Sequence, residues 1–139
     1  MPTPRYRFTP EDLDVLLPHE VFVYGANPEY RHGKGAALTA MHQFGAIYGK
    51  PGGLQGQSYG IVTKELRYKT HPPVTLAQVR EGIRRFVAFS QTRPDLVFYV
   101  TKIGCGLAGF RVEEIARIFH QEIPEPLDNV VLPEAFTQP

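Results

Sequence analysis

The sequence predicts an α/β fold with a mostly parallel mixed sheet, and three observations support that class. Two apolar runs, Val21-Phe22-Val23-Tyr24 and Val97-Phe98-Tyr99-Val100, show little polar alternation, which is typical of strands buried on both faces. Segments with helical periodicity follow such strands, and the alternation of strands and helices favours parallel pairing. The 139 residues are expected to form one domain, residues 1–139, around one hydrophobic core.

The composition narrows the class of protein. Hydrophobic residues make up 42% and the net charge is +1, so we expect a soluble globular protein without the strong positive field of a nucleic-acid binder. No apolar run reaches membrane-spanning length and the first residues do not resemble a secretory signal, so no membrane partner is expected. The single cysteine, Cys105, excludes an intramolecular disulfide and suits a reducing compartment, so we expect a cytoplasmic protein.

The first half of the chain is expected to contain two helices and two strands. In chain order these are a short helix capped by Thr9, a strand at residues 21–24, a helix at residues 36–44 and a strand at residues 58–63. Gly45 would end the second helix, because glycine tolerates the left-handed conformation that closes many helices. Residues 49–56 are expected to form a loop.

The second half is expected to contain two further helices and two strands. Thr75 can cap the longest helix, whose apolar residues recur at helical spacing: Leu76, Val79, Ile83, Phe86 and Val87. Pro94 would close this segment before the strand at residues 97–100. A helix at residues 112–121 and a buried strand at residues 129–132 complete the pattern.

A loop rich in glycine follows the strand at residues 97–100 and opens a helix. It reads Gly104-Cys105-Gly106-Leu107-Ala108-Gly109. Strand, glycine loop and helix together present backbone N–H groups to an anion, so we predict a phosphate site, in particular a diphosphate site. The alternative is a tight turn with close helix–sheet packing. A dinucleotide-binding fold is rejected, because such a fold needs further βαβ units and only one strand remains.

A second glycine loop, Gly33-Lys34-Gly35, opens the predicted helix at residues 36–44. A P-loop is excluded, because Pro28 occupies the position of its first glycine and Gly35 the position of its Ser or Thr. The loop still suits an anion. Ligands of parallel sheets bind off the carboxyl ends of the strands, so the two glycine loops and the segment after Thr63 should meet at one cleft.

Lys64 follows a predicted strand and would therefore lie at this cleft. It could clamp a phosphate, or attack an electrophilic sugar carbon if burial lowers its pKa, or be an ordinary solvated lysine. Cys105 could be a nucleophile, but no flanking signature supports that role, and a small residue in a crowded loop is the favoured explanation. The five histidines lack metal-ligand spacing, so we expect no metal and no cofactor.

These segments together resemble a macrodomain, a three-layer α/β/α fold that binds ADP-ribose. Two segments resemble the first ligand-binding loop of macrodomains: Tyr24-Gly25-Ala26-Asn27 and Gly33-Lys34-Gly35-Ala36-Ala37. One segment resembles the second loop: Ile103-Gly104-Cys105-Gly106-Leu107-Ala108-Gly109-Phe110. The match spans residues 21–132 and is closest to a group of uncharacterised phage and bacterial macrodomain-like proteins. Within the macrodomains, it is most similar to the branch of terminal ADP-ribose protein glycohydrolases and DNA ADP-ribosylglycohydrolases.

The resemblance implies roles for individual residues. Asn27 would hydrogen-bond the distal ribose, and Gly33 and Gly35 would let their loop approach the ligand. The amides of residues 104–109 would hold the diphosphate, and Phe110 would pack on a sugar or base. The implied partner is ADP-ribose, or a protein or nucleic acid that carries it.

The same resemblance implies that Lys64, in the pair Thr63-Lys64, is catalytic and hydrolyses an ADP-ribosyl linkage. One departure bears on this, because Ala108 stands where the protein glycohydrolases carry an acid that moves protons. Glu65 and Glu113 are the substitutes to consider. The acid that grips adenine in macrodomains also has no clear counterpart. The alternative function is a non-catalytic interaction protein with a vestigial cleft and an exposed apolar patch.

Overall fold

The computed structural model describes residues 2–13, 15–26, 44–45, 53–62, 75–103 and 110–137. Within these ranges there are five strands: β1 Glu20–Ala26, β2 Gly53–Gln55, β3 Ser58–Val62, β4 Val97–Val100 and β5 Val130–Val131. The same ranges contain two helices, α1 Leu76–Thr92 and α2 Val112–Glu122, and a short 3₁₀ turn, Glu134–Phe136.

The five strands form one mixed sheet in the order β2-β3-β1-β4-β5. The central strand β1 is parallel to β3 and β4, and β5 is parallel to β4, while β2 alone is antiparallel to its neighbour β3. Val23 of β1 lies level with Tyr59 of β3 and Val100 of β4. The predicted α/β class with a mostly parallel sheet is therefore confirmed.

Both faces of the sheet are buried, as the unbroken apolar runs predict. Val21 and Val23 point to the face covered by α1 and α2, and they belong to the larger core cluster. Phe22 and Tyr24 point to the opposite face, where they pack in a second cluster with Leu13 and other apolar residues. Alternate residues of β1 thus pack into two separate core clusters. Both faces of the strand are buried, so its central residues are apolar on both sides.

The two helices form as their sequences predict. Thr75 accepts a hydrogen bond from the Gln78 N–H at 3.2 Å, and the Gln78 side chain accepts one from the Thr75 N–H at 2.8 Å, so a capping box starts α1. At the other end, the Asn129 side chain donates to the carbonyls of Ser90 and Arg93 at 3.0 and 3.1 Å. Each of these carbonyls also accepts a backbone N–H, from Arg93 and Leu96 respectively, so the Asn129 amide adds a second hydrogen bond to each at the end of the helix.

Between residues 36 and 62, one prediction is wrong and one lies almost wholly outside the described residues. The predicted loop at residues 49–56 contains strand β2, which joins β3 through a two-residue turn in which Gly56 has a φ of +59°. Such primed turns suit the twist of a hairpin, but a three-residue strand is too short to show a period. The helix predicted at residues 36–44 lies outside the described residues except for Phe44. Gly45, the residue expected to end it, has a φ of +81°.

The short helix predicted after Thr9 is also wrong over the residues that the structure describes, since residues 11 and 12 form a turn and residues 10, 13 and 15–17 have no regular secondary structure. Thr9 is buried and hydrogen-bonds to the chain at the edge strand β5 instead. Its N–H donates to the Leu132 carbonyl at 3.0 Å and its hydroxyl to the Val131 carbonyl at 3.1 Å. A threonine hydroxyl can cap a helix or hydrogen-bond the carbonyls of an edge strand, so the sequence by itself does not show which of the two roles Thr9 has.

The carboxylate of Glu20, at the start of β1, is completely buried. The Arg5 guanidinium binds both of its oxygens, with an Nε–Oε2 distance of 2.8 Å. The Tyr99 hydroxyl donates to Oε2 at 3.0 Å and the Leu17 N–H to Oε1 at 2.8 Å. Burial by itself raises the pKa of this carboxyl, but the hydrogen bonds from Arg5, Leu17 and Tyr99 and the charge of Arg5 outweigh it, so the pKa lies below its ordinary value.

We expect Glu20→Gln to lower the free energy of unfolding by about 2 kcal/mol, because the neutral amide cannot pair with the charge of the Arg5 guanidinium. The loss is not larger because Arg5 is partly exposed to solvent. Urea denaturation measures this value. Glu125→Gln is the matched control, because Glu125 is exposed and its loss should change the free energy of unfolding by less than about 0.5 kcal/mol. Equal midpoints for the two variants would contradict the structural role of Glu20.

The difference in stability between wild type and Glu20→Gln should depend on pH. Because the folded-state pKa of Glu20 is lowered, the carboxylate stabilises the protein fully above the unfolded pKa, whose ordinary value is 4.5. This contribution is lost as the pH falls below that value and through the lowered pKa. Urea midpoints measured from neutral to acidic pH should therefore converge for the two proteins. A constant difference across the acidic range would show that the charge is not responsible.

Candidate functional site

The carboxyl ends of β1, β3 and β4 lie at one edge of the sheet, which we call the carboxyl edge. β1 and β3 end level, since Ala26 is paired with Val62. The ladder between β1 and β4 ends earlier, at the pair Val23 and Val100. β1 therefore continues three residues, or about 10 Å, beyond the end of β4. The carboxyl edge has a step at this point, from which the glycine loop at residues 104–109 departs.

The chain is firmly anchored where it leaves β4. The N–H and the hydroxyl of Thr101 both donate to the Val23 carbonyl, at 3.0 and 2.8 Å. The Ile103 N–H donates to the Thr101 carbonyl at 2.7 Å, and the Ile103 side chain is buried in the larger core cluster. The last residue before the glycine loop therefore has a set position and direction.

The chain is anchored again where the glycine loop ends. Phe110 is half-buried and packs against the larger core cluster. The next residue, Arg111, caps α2, and its N–H donates to the Glu114 carboxylate at 3.0 Å. Since α2 returns the chain from β4 to the parallel strand β5, its first turn lies at the carboxyl edge. The positive end of the helix dipole therefore adjoins this edge, together with the exposed carboxylate of Glu113.

Two polar side chains, Tyr24 and Lys102, lie near the carboxyl edge. Burial raises the pKa of Tyr24, near the end of β1, to about 12, so this phenol stays protonated and cannot act as a base at neutral pH. Lys102, two residues after β4, is exposed and forms an ion pair with Glu11 at 3.0 Å. Sequence reasoning selected Lys64 because it follows a strand. Lys102 also follows a strand, but it was not predicted as a site residue.

Most residues of the predicted site lie outside the described ranges. These are Asn27, Gly33, Gly35, Lys64 and the loop Gly104, Cys105, Gly106, Leu107, Ala108 and Gly109, together with the substitute acid Glu65. The structure describes the points from which their segments leave the sheet and, for the second glycine loop, the point at which the chain returns. Of the predicted ligand-binding residues, Phe110 is described, and its packing on the core gives it a structural role at the end of that loop.

Two classes of feature are not found in the part of the chain that the structure describes. No three histidine, cysteine, aspartate or glutamate side chains there lie close enough together to hold a metal ion. None of the helices in those ranges has the length and apolar character needed to cross a membrane.

Comparison with known proteins gives a likeness of fold. No protein-family model matches the chain, and no curated protein matches it in sequence. Two crystal structures from Bacteroides thetaiotaomicron, the first described as a protein of unknown function, match with a TM-score of 0.58 and 19% identity. They cover 86% of this chain and 90% and 92% of their own chains. A macrodomain protein from Streptomyces coelicolor matches with a TM-score of 0.56 and 11% identity, over 86% of this chain and 90% of its own. The chain therefore has a macrodomain-like α/β fold.

Proposed function

We propose that this protein binds ADP-ribose or a related nucleotide diphosphate at the carboxyl edge of the sheet. The observation that carries the proposal is the pair of anchors on either side of the second glycine loop, Ile103 and Phe110, which are both packed on the core. A glycine loop held at both ends between a strand and a helix is the arrangement that presents backbone N–H groups to phosphate oxygens. The likeness to the Streptomyces coelicolor macrodomain protein supports the same ligand class.

The start of α2 bears on how a diphosphate would bind. The Glu114 carboxylate accepts the Arg111 N–H, and Glu113 adds a second negative charge in the same turn. These acids already stabilise the positive end of the helix dipole, so the first turn itself is a poor place for an anion. We therefore assign the diphosphate to the amides of residues 104–109, with Lys102 as a nearby positive charge whose partner Glu11 is exposed and easily replaced.

The remaining ligand contacts follow from the macrodomain resemblance. Asn27, directly after β1, would hydrogen-bond the distal ribose, and Gly33 and Gly35 would let their loop approach the ligand closely. Phe110 would offer its exposed part to a sugar or base. A protein or nucleic acid that carries ADP-ribose would present the same group to this edge, in a compartment that we take to be the cytoplasm.

A second candidate function is hydrolysis of an ADP-ribosyl linkage by Lys64. Two sequence motifs support this function, one containing Thr63-Lys64 and one containing Gly104-Cys105. Both resemble motifs of the macrodomain branch that contains the terminal ADP-ribose protein glycohydrolases and DNA ADP-ribosylglycohydrolases. A lysine that attacks the sugar needs a carboxylate to move protons, and Ala108 cannot supply one. The observation that favours hydrolysis is the exposed carboxylate of Glu113 in the first turn of α2, three residues after Phe110, where no described side chain pairs with it.

Calorimetry with ADP-ribose tests the first function. We expect saturable heat with the wild-type protein and none with Gly106→Glu, because a carboxylate placed in the glycine loop repels the diphosphate. Ala88→Glu is the matched control, since Ala88 is exposed on α1 and the variant carries the same added charge. Absence of heat with the wild type at millimolar ADP-ribose, or equal binding by all three proteins, would refute the proposed site.

Release of ADP-ribose from modified protein or DNA tests the second function. We expect Lys64→Ala to abolish release while binding of free ADP-ribose persists, because the lysine would take part in the reaction more than in recognition. Glu113→Gln should reduce release without loss of binding if Glu113 moves the proton. Arg85→Ala, which removes a positive charge from the exposed face of α1, is the control and should leave release unchanged. Equal release by wild type and Lys64→Ala would exclude Lys64 as the catalytic residue.

A further inference from the structure

A cavity of about 660 Å³ lies beside β5, and we call it the β5 cavity. Its lining includes His120 in the last turn of α2, whereas the carboxyl edge adjoins the first turn of that helix. The 11 residues of α2 separate these two ends by about 16 Å. The β5 cavity is therefore distinct from the site proposed for the nucleotide.

The walls of the β5 cavity are held in place before any ligand binds. One wall is the segment from Pro4 to Arg7, which the ion pair between Arg5 and the buried Glu20 ties to the sheet. The N–H of Arg5 also donates to the Tyr99 hydroxyl at 2.9 Å. The opposite wall is the end of α2 and the chain that leads to β5. A cavity with fixed walls binds a ligand without a large cost for ordering the protein.

The lining of the β5 cavity contains three basic residues, Arg5, Arg7 and His120, and no aspartate or glutamate. The charge of Arg5 is neutralised by Glu20. Arg7 is exposed, its guanidinium lies 5.2 Å from the centre of the Phe8 ring, and it forms no ion pair with any residue in the described ranges. Among the described residues, Arg7 is therefore the one guanidinium of the lining without a carboxylate partner, and His120, Tyr6 and Thr137 are further polar residues of the lining.

The rest of the lining is mostly apolar. It includes Ile123, Pro126, Leu127 and Val130, and the two acids in that stretch of chain, Glu125 and Asp128, are exposed and do not line the cavity. The volume is within the range of small-molecule sites, which combine apolar walls with a few polar groups. A ligand that matches these walls carries one negative charge on an apolar body.

We propose that the β5 cavity binds a small organic carboxylate with an apolar tail. The carboxylate would pair with Arg7, since a guanidinium presents two donors in the geometry that a carboxylate accepts. His120 would donate or accept a further hydrogen bond, and the tail would lie against Leu127 and Val130. A monoanion fits better than a dianion, because Arg7 is the one guanidinium in the lining that lacks a carboxylate partner among the described residues.

Amide chemical shifts from NMR titrations test this proposal with two probes of equal shape, 4-phenylbutyrate and its neutral amide, 4-phenylbutyramide. We expect 4-phenylbutyrate to shift the amides of Tyr6, Arg7 and Leu127, and 4-phenylbutyramide to bind about tenfold more weakly. Arg7→Glu should remove this preference while leaving the amide probe unchanged. Arg85→Glu makes the same charge change on α1, away from the cavity, and should preserve the preference.

A second variant checks the location without removing a charge. Pro126→Trp places a large side chain at the exposed rim of the β5 cavity and should abolish the binding of both probes, while ADP-ribose binding stays unchanged. The proposal is overturned if the two probes bind equally, if neither binds at millimolar concentration, or if Arg7→Glu has no effect. It is also overturned if ADP-ribose displaces 4-phenylbutyrate, because the probe would then occupy the carboxyl edge.

Discussion

The buried carboxylate of Glu20 is the constraint on which the arrangement of this protein depends. A charge enclosed at the start of the central strand must be paired and hydrogen-bonded, and Arg5, Leu17 and Tyr99 supply those partners. Arg5 lies in a segment with no regular secondary structure. The ion pair therefore joins the first residues of the chain to β1 and, through the Tyr99 hydroxyl, to β4. The same contact sets one wall of the β5 cavity.

The two candidate sites use different chemistry because they lie at different parts of the sheet. At the carboxyl edge, Thr101 and Ile103 fix the point where the chain enters residues 104–109 and Phe110 the point where it returns, and in the proposed site the donors would be the backbone amides of those residues. Beside β5, the side chains of Arg7 and His120 supply the polar groups and the walls are apolar. Backbone amides suit the several oxygens of a diphosphate, whereas one guanidinium on an apolar wall suits a single carboxylate.

Long periodic segments were predictable and short or non-local features were not. The strands around Val23 and Phe98 and both helices were expected from their patterns, because burial on two faces or one helical face leaves a strong signal. Strand β2 was missed because three residues carry no period. Thr9 was misassigned because its hydroxyl binds the carbonyl of Val131, 122 positions away. Of the candidate site, the carboxyl edge was predictable, while the packing of Phe110 on the core, the position of Lys102 and the β5 cavity were not.

By itself, the sequence determined the α/β class, the alternation of strands and helices, and the place of the second glycine loop between a strand and a helix. These features depend on local patterns of apolar residues, glycines and helix caps. Only the tertiary structure decided the strand order, the pairing of Glu20 with Arg5 and Tyr99, and the cavity beside β5. Those features join residues far apart in the chain, since Tyr99 lies 79 positions from Glu20. No local propensity encodes such a contact, because it forms only when the sheet brings its strands together.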